Sequence, residues 1–562
     1  MPVVYTDKTK RLQGMKLDRQ SWDQHYRELQ EFFLPRRSRW IEAPASMRGQ
    51  KMNQKLVDPS PRLAARALAA GMHSGSTNPA MPWFKLTTPD TEMMEFPAVA
   101  NWLYIVEQVI RGVFERSNVY SVLPSLYGDA GVFGTAPMTV LEHDTRVIHC
   151  VPSAVGSYYL STSYDGVVDT KYCEYKMTAS QMIAEFGEKK VSEQVLSAAK
   201  SQNVSQYFDV LHVIEPNTGR KWDDYSSQSM AWRSCYLELS NASDQRVLRE
   251  SGFEDNPIAA LRWEVTEITD PYGASPGMDA LGCAKAIQVQ QKQKAKAIDK
   301  LVDPPMVGDP SMQKQPSTLI PGGVTWHGFT QTGGAPKFQP AYQIRPDLSG
   351  MLADIVDLRE LVDEAMYKDL FLAITIADPR NATVPEIVER REEKILMLGP
   401  VLQNHRDGLL KPLIDRTFYI CMRRGMLPPP PPELEGVDLR VEMIGLLAQA
   451  LRAVNSSGIE RFVGFAGTLA QAQANAGESP TVLDKVDFDQ AMDEYGLALG
   501  VPPTVIRSDD KVEVIRKGRA QQQAAQQAAA AAQPIQQIAG AAKDLSETKV
   551  GGTTALDAMV GQ

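Results

Sequence analysis

Cysteine is scarce in this chain of 562 residues: five in all, at positions 150, 173, 235, 283 and 421, far apart and with no CxxC pair. That spacing fits unpaired thiols in a reducing compartment and argues against a disulfide framework or a cysteine-rich zinc site. Long apolar runs are missing too. No stretch of about 18 apolar residues occurs, and the opening residues MPVVYTDKTKRLQ carry no apolar segment of the signal-peptide kind, so neither membrane spanning nor secretion is expected. A cationic excess is also absent. The formal net charge is −9, so no global basic surface announces a protein that grips nucleic acid.

Catalytic signatures are as thin as the cysteines. The chain has no GxxxxGK[ST] phosphate loop, no GxGxxG and no HExxH. One GxSxG match occurs, GASPG at Gly273–Gly277. A nucleophile elbow needs the backbone N–H of the residue after the serine, and here that residue is Pro276, which has none. The segment reads as a turn. The seven histidines, at 25, 73, 143, 149, 212, 327 and 405, form no ligand spacing. His143 and His149 flank a turn between strands and read as structural. Asp354, Asp357, Asp363 and Glu364 share one helix and read as a solvated or partner-facing surface. No enzyme, cofactor or metal is expected.

What is present is organisation. At this length two to four domains are expected. Residues 1–40 carry Leu17, Trp22, Tyr26, Leu29, Phe32 and Phe33 at helical spacing up to Pro35. A small-residue helix follows Asp58 and Pro59, and helices are expected over 97–117 and 119–133. From Pro137 to Glu267 short β-rich runs and turn signals give a mainly antiparallel sheet, interrupted by a helix from Ala179. Two long helices, roughly Met278–Leu301 and Pro346–Leu372, enclose a module at 302–345 with six glycines and seven prolines. A third long helix is expected over about 384–424, stopped by Gly425 and the run Pro428–Pro432, which suits a spacer. Several shorter helices are expected over 438–500. Residues 521–542 contain ten alanines, eight glutamines and no charge, which gives disorder or a helix that needs copies of itself.

The two long helices are oppositely charged. Lys285, Lys292, Lys294, Lys296 and Lys300 against Asp279 and Asp299 leave the first at +3, and the second carries −5. Such a pair can match within one chain or, in a ring, between neighbours.

Motif order then carries a resemblance. LAAGMHSGSTNPAMPWFKL (Leu68–Leu86) is a small-residue helix and a proline-aromatic loop. SNVY (Ser117–Tyr120) and GVFGTAPMTV (Gly131–Val140) follow. RWEVTEITDPYGASPGMDALGCAKAIQVQQKQKAKAIDKLVDPPMV (Arg262–Val307) runs strand, YG turn, long helix and proline stop. DFDQAMDEYGLALGVPPTVIRSDDKVEVIRKGRAQQQ (Asp487–Gln523) ends in glutamines. In order and spacing these segments resemble the head-to-tail connector (portal) family of short-tailed bacteriophages over most of the chain.

The resemblance implies an α+β, mainly α subunit. Its parts would be a wing over 1–277, a stem helix over 278–301 and a clip over 302–345. A second stem helix would cover 346–372, a tunnel loop 373–383, and a long helix returning to the wing 384–437. A helical crown would cover 438–510 and a barrel or disordered tail 511–562. It implies a homo-oligomeric ring of about twelve copies around double-stranded DNA, with closed rotational symmetry. The implied partners are the terminase large subunit, tail adaptor or nozzle proteins, and major capsid and scaffolding proteins, with no membrane. The implied location is the capsid portal vertex of the virion, after assembly in the host cytoplasm. Arg380 and Asn381 in the tunnel loop, with Lys285, Lys292 and Lys296 on the stem, are the candidates to approach DNA. Trp326, His327 and Phe329 in the clip are the candidates for docking a motor or adaptor. Competing readings are another ring-forming tail or internal virion protein, a packaging ATPase or nuclease, and a helical scaffold unrelated to phage.

Overall fold

The computed structural model describes residues 2–37, 55–90, 92–201, 206–224, 226–239, 246–302, 306–308, 338–340, 348–375, 396–434, 439–475, 481–492, 512–524, 543, 549–550 and 553–554. It divides into two units, Met1–Leu451 and Arg452–Gln562.

In the first unit the amino-terminal amphipathic stretch forms two helices, α1 (Pro2–Asp18) and α2 (Gln20–Phe32), rather than one. The break at Arg19 lets each helix turn its apolar residues to a different layer. Tyr5, Leu12 and Met15 of α1 meet one sheet, while Tyr26, Leu29 and the following Phe33 enter the main core. Leu17, expected on the packed face, is 69% exposed. Helix α3 (Ser60–Ser76) is built for close approach: a Cβ on Gly71 would meet the ring of Phe371, and one on Gly131 would meet Leu68. Strand β1 (Phe84–Thr87) leads to α4 (Pro97–Arg116), which starts on a proline whose missing N–H costs a first turn nothing. Helix α5 (Val119–Phe133) is buried over most of its length and stops at Gly134, in the left-handed region.

The β-rich region runs over Thr135–Arg262, close to the expected span. Strands β2 (Thr135–His143) and β3 (Val147–Pro152) form a hairpin. An antiparallel meander of β4 (Tyr158–Thr162), β5 (Val168–Thr178), β6 (Tyr207–Pro216), β7 (Trp232–Glu238) and β8 (Val247–Phe253) comes next. Strand β9 (Ile258–Arg262) then returns to pair with β2, giving the order β3-β2-β9. Alternation gives the meander two apolar faces. Leu211, Val213, Cys235 and Leu237 pack under α1. Phe208, Val210 and Leu248 pack under α6 (Ala179–Phe186) and α7 (Glu193–Lys200). A capping box between Thr178 and Gln181 starts α6.

The two long helices are α8 (Pro276–Val302) and α9 (Leu348–Ala365). Between them only β10 (Met306–Gly308) and β11 (Phe338–Pro340) are described, paired antiparallel. The second helix is shorter than expected. It breaks at Tyr367 (φ +53°), and a separate α10 (Lys368–Thr375) follows. The third long helix is described from 396 onward. It comprises α11 (Gly399–His405), a π-helical turn at Arg406–Leu410, and α12 (Lys411–Arg423). Strand β12 (Arg440–Met443) pairs with β1, more than three hundred and fifty residues earlier in the chain.

Helix α13 (Leu446–Asn475) is a single helix of 30 residues where several short ones were expected. The second unit adds a 3₁₀ turn at Thr481–Lys485 and helical residues at 488–492 and 512–524. An Arg516–Asp489 ion pair joins those last two segments. Most of the Ala/Gln-rich tail lies outside the described residues.

Candidate functional site

The candidate residues gather where α8 and α9 leave the core. At the start of α8, Ser275 is 3% exposed and its Oγ donates to the carbonyl of Val132 (2.7 Å) while accepting from the N–H of Met278 (3.2 Å). The GASPG serine is therefore a helix cap, and Pro276 is the first helical residue. The neighbouring Gly273 donates its N–H to Thr135 Oγ1 (2.9 Å), which ties the YG turn to the first residue of β2.

More than three turns along α8, a polar junction fixes the helix pair. Gln288 is 2% exposed; its Oε1 accepts from the N–H groups of Val57 (2.7 Å) and Asp58 (2.8 Å), and its Nε2 donates to the Asp58 carbonyl (2.9 Å). The Asp58 carboxylate accepts from Ser60 N–H (2.8 Å), from Gln291 (2.9 Å) on α8, and from Arg359 (2.5 and 3.1 Å) on α9. Burial opposes its charge, but these bonds from Ser60, Arg359 and Gln291 hold it down to about 2. One carboxylate thus holds the first residue of α3 and reaches both long helices. Nearby, Gln290 donates to Asp354, which sets the level of α8 against α9.

The expected charge matching inside the chain is not what holds the pair. Lys285 pairs with Glu28 of α2, whose carboxylate is held low by that lysine's hydrogen bond. Lys292 and Lys296 are exposed, and among the described residues neither has an ion-pair partner. Arg380 and Asn381 lie outside the described residues, and so do Trp326, His327 and Phe329. The structure therefore brings together Lys285, Lys292 and Lys296 on one helix.

The remaining histidines read as framework. His143 Nδ1 accepts from the N–H groups of Thr145 and Arg146 in the β2–β3 turn, with His149, which pairs with Leu141, at a ring distance of 6.0 Å. His405, pushed down to about 3 by burial, contacts the Tyr127 hydroxyl (3.1 Å), which also meets Thr77 (3.0 Å). Among the described residues no group of three or more His, Cys, Asp or Glu is placed to hold a metal, and no helix is long and apolar enough to cross a membrane.

Sequence reasoning missed two features. Asp58 was read only as preceding a helix, and its role depends on residues more than two hundred positions away. Arg19 was not singled out. It is 0% exposed, its guanidinium lies 5.1–5.6 Å from the ring centres of Tyr26, Tyr158, Tyr159 and Tyr272, and it donates to the Tyr158 carbonyl. The only hint is a cation placed between two apolar helical runs.

The described residues hold a buried core and a helix pair leaving it. The family model described as bacteriophage head to tail connecting protein matches residues 6–506. The chain belongs to that family. Among relatives, the portal protein of Salmonella phage epsilon15 is 42% identical over 551 residues, 98% of this chain and 97% of that protein. The probable portal protein of Bordetella phage BPP-1 is 40% identical over 516 residues, covering 92% and 91%. A chain from the neck of an empty gene transfer agent particle, computed with C6 symmetry, aligns over 79% of this chain and 96% of its own. Its identity is 12% and its TM-score 0.32, too low to carry an argument. This head-to-tail connecting protein is a structural connector with a mixed helix and sheet fold.

Proposed function

We propose that this connector is the portal of a short-tailed phage: a ring at one capsid vertex that passes the genome inward during packaging and outward during ejection. One observation carries the reading, the end-to-end match to a portal protein at 42% identity over 98% of the chain. Helices α8 and α9 are the proposed stem, with the clip at 302–345 between them, the wing over 1–277 and the tunnel loop at 373–383. The long return helix at 384–437, the crown at 438–510 and the tail at 511–562 complete the assignment. A ring of about twelve copies, closed by one repeated heterologous contact, surrounds duplex DNA. The clip, through Trp326, His327 and Phe329, docks the terminase large subunit and later a tail adaptor. Capsid and scaffolding proteins surround the ring in the virion, which assembles in the host cytoplasm.

Charge supports a conduit. Many fixed cations would release counterions on binding and hold DNA against translocation. A chain at −9 leaves only local cations to touch phosphate. Arg380 and Asn381 are the proposed channel contacts, with Lys285 already neutralised by Glu28.

Electron microscopy of the purified full chain tests this. Rings with a central channel are expected. A monomer that persists at high concentration and varied salt would overturn the reading. The packaging energy then comes from a separate motor, so the purified chain is expected to show no ATP turnover, and robust hydrolysis would return the packaging-enzyme reading.

A further inference from the structure

We propose that the outward faces of α8 and α9 form a charge-matched seam between copies of this chain. Lys292, Lys296 and Lys300 of one copy would face Asp357, Glu360 and Glu364 of the next. The inference rests on the ring reading and specifies the contact that closes it.

The stripes follow from helical geometry. Lys292, Lys296 and Lys300 recur every four residues, one above another on α8. All three are exposed, with Val289 of the same face 53% exposed. Gln290 and Gln291, which meet Asp354 and Asp58, lie on the other side of the helix. On α9, Asp357, Glu360 and Glu364 recur at three- and four-residue spacing and are exposed. Ile355 and Val362 are buried on the opposite side. None of the six charged groups has a hydrogen-bond or ion-pair partner among the described residues. Asp299, also exposed on α8, leaves the basic stripe with a positive excess.

Three observations favour a second copy as the occupant. First, the charges are complementary, three against three. Second, exposed apolar residues interleave with them: Val289 on α8, and Val356 (46%) and Leu361 (51%) on α9. A second copy on this face would remove these side chains from water. Third, both stripes lie opposite the buried side of their own helix, and neither meets the other within the chain. A basic side meeting an acidic side gives a head-to-tail contact, which repeats around an axis and closes as a ring. A nucleic-acid partner fits less well, because the acidic stripe would repel phosphate.

The geometry adds a condition. The antiparallel β10–β11 ladder implies that α8 and α9 run in opposite directions. From the level set by Gln290 and Asp354, the two stripe centres, Lys296 and Glu360, diverge. At 1.5 Å per residue they lie about 18 Å apart along the hairpin. Copies related by rotation alone bring such staggered stripes together only if each hairpin is inclined to the ring axis. The seam thus assigns Lys292 and Lys296 to the subunit boundary instead of the channel wall.

The test uses the full chain in mass photometry and sedimentation at low salt. Wild type is compared with K292E/K296E, D357K/E360K, the quadruple variant and an equal mixture of the two double variants. Each double variant alone places like charges across the seam, and the concentration for half-assembly is expected to rise about tenfold or more. The quadruple variant and the mixture restore opposite charges and are expected to recover rings, the mixture with alternating copies. Thermal melts should coincide for all variants, since the six positions are exposed and unpaired in the single chain. Wild-type rings with double variants that assemble equally well would overturn the seam alone. Loss without recovery in the quadruple variant and mixture would overturn the charge pairing. A wild type that forms no ring would bring down the portal reading first.

Discussion

Arg19 sits where α1 hands over to α2, and its guanidinium is enclosed by four tyrosines drawn from α2, β4 and the YG turn. Asp23, four residues on, forms an ion pair with it at 2.8 Å. The planar cation stacks on rings and donates to the Tyr158 carbonyl at once, which an ammonium cannot do. Arg19→Ala is therefore expected to cost about 3–5 kcal/mol, and Arg19→Lys to recover little of it. Scanning calorimetry of the full chain would show both as lowered melting transitions; a lysine variant melting with wild type would contradict the cage. Glu107 supplies a pH prediction at the same scale. Burial pushes its carboxyl up to about 7, against the opposing N–H of Leu86, which donates to it at 2.7 Å. An acid raised in the folded state binds a proton there that the unfolded chain has lost, so stability falls as pH rises from the ordinary carboxylate range toward 7. Glu107→Gln keeps the acceptor oxygen and removes the charge. It should raise the melting temperature at pH 8 and leave it nearly unchanged at pH 5; equal shifts at both would exclude the mechanism.

At the scale of elements, the junction of α5 and β2 is the tightest. Gly134 has φ +76°, and a Cβ there would stand 1.9 Å from the carbonyl oxygen of Gly273. Gly187, at φ +82°, closes α6 with nothing within 4 Å. Gly187→Ala thus isolates the cost of a positive-φ backbone that only glycine adopts freely (ψ 153°), about 1–3 kcal/mol, whereas Gly134→Ala adds a backbone clash and should cost clearly more. Comparable melting shifts for the two would show that the α5–β2 corner gives way. These elements also show what was legible. Helices α4 and α5 were readable almost to the residue because Pro97 and Gly134 punctuate them, and α6 because its capping box is local. The break at Tyr367 was not, since no glycine or proline announces it and the φ of +53° is imposed by packing. The split at Arg19 was hidden for a similar reason. Its amphipathic pattern continues through a position where the chain changes the layer it covers.

For the whole molecule, motif order conveyed the family, while the residues that hold its parts together were not legible. Asp58 meets Gln291 and Arg359 only after folding, and no local pattern marks it. Lys285 was placed on the correct helix, but its pairing with Glu28 needed the tertiary structure. The acidic total and the opposed charges of α8 and α9 were legible as charge, though not as direction.

Strand β1 waits a long time for its partner. Phe84 stands opposite Met443, so a ribosome delivering the chain from its amino terminus makes both larger sheets before β12 emerges. At translation rates this delay is roughly 20–70 s. Over that interval the unpaired edge of β1 is open to pairing with the same edge on a neighbouring nascent chain. Synthesis order, and not only final stability, thus sets a hazard for this connector, and truncations that end before residue 440 should accumulate as aggregates rather than as a soluble fragment.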